Sequence, residues 1–219
     1  MIDCMLFVDE LSEVIEMALH PTARTKKRRS MLEAAKFFYK STFLLMLLGI
    51  LVLGSLGAVM LNRIAVMTSP TINPQAVMAI SPFGPVLIMV LVMVIWLLVP
   101  IIEIVDAAIV QLFGRYIFGK FKKPFERTYV AQTYTATVKF LLYDMALVIT
   151  VLLFFVSHVL ALFGIVLLVA AAIWSIAVEI IALANQQNIR PVTAMWVVIG
   201  MIIVIFIIEI LVEGLIFLL

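Results

Sequence analysis

The sequence predicts an all-helical, polytopic membrane protein with five transmembrane helices. Hydrophobic residues make up 66% of its 219 positions, whereas soluble chains contain roughly 45–50%. Charged residues make up only 13%, and the apolar runs between them reach about the 20 residues that a helix needs to cross a bilayer. Little of the chain is left for a soluble domain, so we expect residues 1–219 to form a single membrane domain.

The first forty residues are predicted to be a cytoplasmic segment that begins with an amphipathic helix and continues into a basic run. The apolar residues of this helix recur at helical spacing opposite three glutamates; they are Leu11, Val14, Ile15, Ala18 and Leu19. We expect the helix to end near His20-Pro21. It either packs on the bundle or lies in the membrane interface, or it offers a docking surface to a cytosolic protein. We interpret the basic run 26–29 as a topology signal, with anionic lipid as the alternative ligand.

Five apolar stretches follow, and we interpret each as one membrane span. They cover about residues 43–61, 85–113, 140–156, 160–184 and 192–219. Ser30 and Glu33 have the spacing of a capping box, which predicts a helix that starts at Ser30 and runs continuously into the first span. The aromatic residues 37–39 would then lie at the level of the lipid headgroups.

The basic residues predict the orientation of the chain in the membrane. Short cytoplasmic loops are enriched in Lys and Arg. With five spans, every basic residue except Arg63 falls on one side, in the segments before span one, between spans two and three, and between spans four and five. We therefore expect the N-terminus inside and the C-terminus outside.

Carboxylates within or next to the apolar runs are the main functional clue. A carboxylate in hydrocarbon costs about 2.5–3.5 kcal/mol on insertion scales, so it needs a partner, a proton, an ion or water. Glu103 and Asp106 share one face of the second span, just after Pro100, which is expected to kink the helix or free a carbonyl near Trp96.

Asp144 and Glu179 are predicted to lie at the same depth as this pair, on the cytoplasmic side. If the four carboxylates converge, they form a candidate ion or proton site, and oxygen ligands alone would suit Mg²⁺, Ca²⁺ or Mn²⁺. Two other interpretations stay open. Each carboxylate can lie in headgroup water near the basic loop, or it can hydrogen-bond across helices to groups such as Gln132, Thr133, Tyr134 or Thr137.

On the opposite side of the membrane, Glu209 and Glu213 are one turn apart in the last span, and Arg63 is the only basic residue predicted there. We expect Arg63 to form an external ion pair with this acidic pair.

The residues give no support to an enzymatic function. One cysteine and two histidines cannot supply a conventional zinc site or a cysteine–histidine nucleophile, and no glycine-rich phosphate loop is present. We expect no enzyme activity, no resident cofactor and no nucleic-acid partner.

Several short motifs resemble those of a known family of five-span proteins. Val14-Ile15 leading to His20-Pro21 is similar to a short interfacial helix before the first span. Other matching segments are Ile173-Trp174-Ser175, Ala182-Leu183-Ala184-Asn185, Arg190-Pro191-Val192-Thr193-Ala194 and Ser81-Pro82-Phe83-Gly84-Pro85. Together they resemble the Ypt-interacting-protein (Yip) domain family, prokaryotic type, over nearly the whole chain.

The resemblance implies a five-span fold more than an activity. Eukaryotic members of that family are associated with Rab-type GTPases and vesicle traffic. We therefore predict a multi-pass protein of the cell membrane with a role in membrane organisation or protein interaction. The alternative is a cation- or proton-binding transporter that uses the acidic residues. The expected partners are the lipid bilayer and a cytosolic protein at the N-terminal helix, and a homo-oligomer stays open.

Overall fold

The computed structural model describes residues 4–68 and 83–218, and within those ranges the chain forms helices and loops without strands. The helices are α1 (Cys4–Leu19), α2 (Pro21–Arg24), α3 (Met31–Thr68), α4 (Phe83–Leu112), α5 (Phe125–Val156), α6 (His158–Gln187) and α7 (Pro191–Leu218). A π-helical turn, Phe113–Ile117, follows α4. The predicted all-helical class is confirmed for the described residues.

Four of these helices contain a segment long and apolar enough to cross a membrane. The segments are Met31–Val52, Met89–Ile117, Phe125–Phe154 and Leu162–Gln187. Within the described residues, α7 contains a shorter apolar segment, Pro191–Val204. The count of five spans and the orientation stay predictions.

The described chain divides into two compact units, each made of separate segments. Unit 1 contains Met1–Leu11, Tyr39–Val99 and Lys139–Trp174, and unit 2 contains Ser12–Phe38, Pro100–Val138 and Ser175–Leu219. The boundary between them falls inside α1, α3, α4, α5 and α6.

The start of α3 agrees with the predicted capping box. The Ser30 backbone N–H donates to Glu33 Oε2 at 2.8 Å, and the Glu33 N–H donates to Ser30 Oγ at 3.3 Å. These two bonds satisfy donors that the first turn of a helix leaves unpaired. Of the aromatic residues that follow, Phe37 and Phe38 are buried in unit 2, and their level in the membrane stays a prediction.

Helix α5 begins at Phe125, well before the predicted apolar stretch at 140–156. Its first part is rich in threonine, which lowers the hydropathy that the sequence prediction used. Three threonine hydroxyls donate to the carbonyl four residues earlier, Thr133 to Tyr129, Thr135 to Ala131 and Thr137 to Thr133, at 2.7–3.0 Å. Because these hydroxyls are satisfied within the helix, residues 128–138 are buried despite their polarity.

The core of unit 2 consists mainly of small and β-branched side chains. Its buried members are Val110, Phe121, Ala131, Ala182, Leu183, Ala184, Ala194, Val197 and Val198. Small residues let helix backbones approach closely, which is the usual packing mode in membranes. In the same unit, a Cβ built at Gly200 would lie 3.4 Å from the Phe118 ring, within ordinary contact distance.

Unit 1 contains an aromatic contact between α3 and α4. The rings of Tyr39 and Trp96 meet edge to face with centroids 5.1 Å apart, and Trp96 Nε1 donates to Thr42 Oγ1 at 2.8 Å. The indole N–H is therefore satisfied where it is buried, as amphipathic aromatic rings require.

The N-terminal helix α1 ends at Leu19, as predicted. Val14 and Ala18 of its predicted apolar face are buried, together with Met17, whereas Ile15 and Leu19 of that face are exposed. Part of the apolar face therefore packs within the protein, and the choice between membrane interface and docking surface for the exposed part stays open.

Candidate functional site

The four predicted site carboxylates belong to different compact units. Glu103 and Asp106 of α4 and Glu179 of α6 are in unit 2, whereas Asp144 of α5 is in unit 1. Glu103 and Glu179 are buried, and Asp106 and Asp144 are half-buried. In residues 4–68 and 83–218, no three His, Cys, Asp or Glu side chains are grouped as ligands of a metal ion would be.

Glu179 is held by a side chain of the neighbouring helix α5. Gln132 Nε2 donates to Glu179 Oε1 at 3.0 Å, and both residues are buried. This is the interhelical hydrogen bond that the sequence left open as one alternative. Glu103 and Asp106 also take part in intramolecular interactions. These three carboxylates therefore have partners within the protein.

Pro100 lies inside α4 without ending it. Tyr129 donates from its hydroxyl to the Pro100 carbonyl at 3.3 Å in unit 2. In unit 1, the Tyr39 hydroxyl donates to the Leu97 carbonyl at 2.7 Å. Proline removes one backbone hydrogen bond from a helix. Two carbonyls close to Pro100 in sequence thus accept tyrosine hydroxyls, one within each unit. The predicted kink, or free carbonyl near Trp96, stays a prediction.

The predicted external ion pair of Arg63 with Glu209 and Glu213 lies outside the part of the structure in which side chains are described. It stays a prediction.

The most completely built polar arrangement in unit 2 surrounds Arg29, and we call it the Arg29 cluster: Glu13, Lys27, Arg29, Phe37 and Tyr134. Arg29 Nη2 contacts both carboxylate oxygens of Glu13, at 3.1 and 2.9 Å, and Nη1 donates to the Tyr134 hydroxyl at 3.2 Å. The guanidinium carbon lies 3.9 Å from the centre of the Phe37 ring. Arg29 thus joins α1, α3 and α5 through charge, hydrogen bonds and a cation–π contact.

The other two glutamates of α1 are also paired with basic residues: Glu16 pairs with Arg24, and in unit 1 Glu10 lies 3.7 Å from Lys40. Lys27 is a second partner of Glu13, at 3.1 Å. The three glutamates of α1 are therefore paired within the chain, and part of the run interpreted as a topology signal also pairs inside the fold.

Three consecutive amide side chains at the end of α6 attach two loops to this helix, and we call them the amide run: Asn185, Gln186 and Gln187. Asn185 Nδ2 donates to Thr25 Oγ1 at 2.6 Å. Gln186 Nε2 donates to the carbonyls of Thr25 and Lys27 at 2.6 and 2.9 Å. These bonds hold the segment between α2 and α3.

Gln187, the last residue of the amide run, holds the loop between α4 and α5. Its Oε1 accepts the Lys123 backbone N–H at 3.1 Å, and its Nε2 donates to Thr128 Oγ1 at 2.8 Å and to Gln111 Oε1 at 3.3 Å. Gln111 Nε2 in turn donates to the Lys123 carbonyl at 3.1 Å, and Thr128 donates to Gln111. Each of these buried polar groups therefore has a partner, as a stable polar network requires.

Neither the Arg29 cluster nor the amide run was predicted from the sequence. The signal for the amide run was present: three amide side chains directly follow a long apolar helix. Such side chains carry both a donor and an acceptor. They can therefore bond both the N–H and the C=O groups of a loop backbone, whereas basic side chains can bond only the C=O groups. The partners of Arg29 could not be predicted from local sequence, because Glu13 belongs to a separate helix and Tyr134 is 105 positions away.

The Arg29 cluster can hold α1 in a defined position, and the amide run can fix the loops. A surface for protein contacts requires both. In comparisons with models of protein families, with curated proteins and with solved structures, nothing matched this chain.

Proposed function

We propose that this chain is a five-span protein of the cell membrane, of the Yip-like kind, that organises the membrane through protein contacts without enzyme activity. Four helices contain segments long enough to cross a bilayer. The 28 residues of α7 exceed the roughly 20 that one crossing needs. The basic residues before α3 and between α4 and α5 support a cytoplasmic N-terminus.

The exposed apolar face of α1 carries this proposal. Ile15 and Leu19 are 43% and 64% exposed, although one turn of the same helix buries Met17 and Ala18. The contact of Arg29 Nη2 with both oxygens of Glu13 restrains the rotation of α1, so these two side chains are held outward. Because the glutamates of α1 are already paired, the surface offered to a partner is apolar. An amphipathic helix of a protein partner would fit such a surface.

A photo-crosslinking amino acid at position 15 tests the proposal. We expect a discrete adduct with a second protein in native membranes, and we expect Leu19→Glu to abolish it, because a charge would enter the apolar contact. Position 17 is the matched control, since Met17 is fully buried and a probe there should react only within the chain. Adducts with lipid alone, or with another copy of the chain alone, would contradict a heterologous protein partner.

The burial of Glu103 and Glu179 favours one alternative, a cation-binding transporter that uses these residues with Asp106 and Asp144. Thermal unfolding of the purified protein with Mg²⁺, Ca²⁺ and Mn²⁺ separates the two functions. A scaffold is expected to show no selective shift. Ligand at about a hundredfold its Kd would add about 2.7 kcal/mol of stability, so a cation-specific shift that Glu103→Gln removes would support the transporter. Ser12→Ala, at an exposed position of α1, serves as the control variant.

A further inference from the structure

Asp144 of α5 has a carboxylate oxygen without a partner inside unit 1. Its Oδ2 atom is shielded from solvent and makes no hydrogen bond. The other oxygen, Oδ1, lies against Gly49 of α3, where an added Cβ would approach it to 2.6 Å. The absent side chain at Gly49 is thus what leaves room for the carboxyl group between the two helices.

The position of Asp144 along α5 places it far from the end of that helix. It precedes Val156 by about 12 residues, which is about 18 Å of helix. Ser157 then joins α5 to α6, and its Oγ accepts the Val159 N–H at 3.2 Å. Since the hydrocarbon layer is about 30 Å thick, an α5 that crosses the membrane and turns at Ser157 carries Asp144 inside that layer.

No ion pair between described residues includes Asp144. On α3, the nearest described charge is Lys40, nine positions before Gly49, and it is paired with Glu10 of α1. On α5, Lys139 is five positions away, so it lies on a different side of the helix. The remaining titratable side chains described in this unit are Asp9 of α1, Tyr39 of α3 and Tyr143 of α5.

An ionised carboxylate in such surroundings would lose its hydration without gaining a counter-charge. The neutral acid avoids that cost. We propose that Asp144 is a membrane-buried proton-binding site, a neutral carboxylic acid seated against Gly49. The inference does not depend on the proposed function. It differs from a cation site, in which the carboxylates would be ionised around a metal ion.

Dicyclohexylcarbodiimide, an apolar reagent, tests this protonation state. A carboxylic acid adds across one C=N bond of the reagent: its oxygen bonds to the central carbon and its proton moves to nitrogen. The acyl group then shifts from oxygen to nitrogen. The product is a stable N-acylurea that contains all atoms of both reactants, so mass spectrometry of the digested protein locates it.

We expect the full-length protein in lipid vesicles to be labelled at Asp144. Labelling should be at least about tenfold faster at acidic than at alkaline pH, because the neutral acid is the reactive form. It should also be at least about tenfold faster at Asp144 than at Glu179, which is hydrogen-bonded by Gln132 at 3.0 Å. Asp144→Asn should remove the adduct and unfold at the same temperature as the wild type, since the amide is neutral and of the same shape.

Two outcomes would overturn the proposal. Absence of label at Asp144 across the pH range would contradict a neutral carboxylic acid that an apolar reagent can reach. Protection of Asp144 by Na⁺, Mg²⁺, Ca²⁺ or Mn²⁺ would mean that a cation is bound instead. Gly49→Ala adds a second readout, because the new methyl group would displace the carboxyl group. We expect a changed labelling rate. An unchanged rate would contradict the position against Gly49 that we assign to the Asp144 carboxyl group.

Discussion

Arg29→Ala is expected to lower the free energy of unfolding by about 3 kcal/mol. The side chains of Arg29 and Glu13 are only 12% and 17% exposed, and Arg29 Nη2 contacts both carboxylate oxygens of Glu13. Removing Arg29 leaves the Glu13 carboxylate largely shielded from water with only Lys27 as a counter-charge. It also deletes the contact with the Phe37 ring and the bond to the Tyr134 hydroxyl.

Denaturant titration in detergent, followed by circular dichroism, measures this loss. Arg28→Ala is the matched control, because Arg28 is exposed and its loss should change stability by no more than about 0.5 kcal/mol. Arg29→Lys should fall between the two, since a lysine keeps the charge but not the planar fork. Equal stability of the Arg29→Ala and Arg28→Ala variants would show that the Arg29 cluster does not hold α1.

A double-mutant cycle that combines Arg29→Ala with Glu13→Gln measures the interaction energy between the two side chains. If the two side chains stabilise the fold through each other, the double variant should be more stable than the sum of the single losses predicts, by about 1 kcal/mol or more. Additive losses would mean that each side chain acts through other neighbours.

Gln187→Leu is the second substitution with a large expected effect, about 2–4 kcal/mol. Leucine has a similar volume but supplies neither donor nor acceptor. The change leaves the Lys123 N–H and the Thr128 and Gln111 side chains with one partner fewer at a position where Gln187 is 2% exposed. Buried polar groups that lose a partner cost more than the bond itself contributed.

The same unfolding titration measures this effect, and limited proteolysis adds a local readout. We expect the loop between α4 and α5 to become the first site of cleavage, because its backbone is no longer held at Lys123. Asn188→Gly is the control: Asn188 is exposed with a φ of 55°, a conformation that glycine adopts freely. Wild-type stability of the Gln187→Leu variant would contradict the role given to the amide run.

Much of the architecture could be predicted from local sequence. The α3 capping box needed only Ser30 and Glu33, and the end of α1 needed only His20-Pro21. Helix α5 was harder, because its threonine-rich start has low hydropathy. Its threonine hydroxyls are satisfied by carbonyls one turn earlier, which lets this polar segment be buried by other parts of the protein, and hydropathy reports neither.

The candidate site was less predictable than the helices. Sequence reasoning singled out carboxylates within apolar runs and grouped them by expected depth alone. Depth does not specify the direction in which a side chain points. Glu179 has a hydrogen-bond donor in Gln132, whereas Asp144 has a shielded oxygen without one.

The sequence by itself determined the helical class, the positions of long apolar segments and the asymmetric placement of basic residues. Each of these follows from properties of neighbouring residues along the chain: hydropathy, helical spacing and charge. Only the tertiary structure decided which polar groups are satisfied. Arg29 meets Glu13 and Tyr134, and Gln187 meets Lys123, because helices distant in sequence bring them within 3.3 Å. A hydrogen bond or ion pair depends on distance and direction in space, and a linear pattern does not encode them.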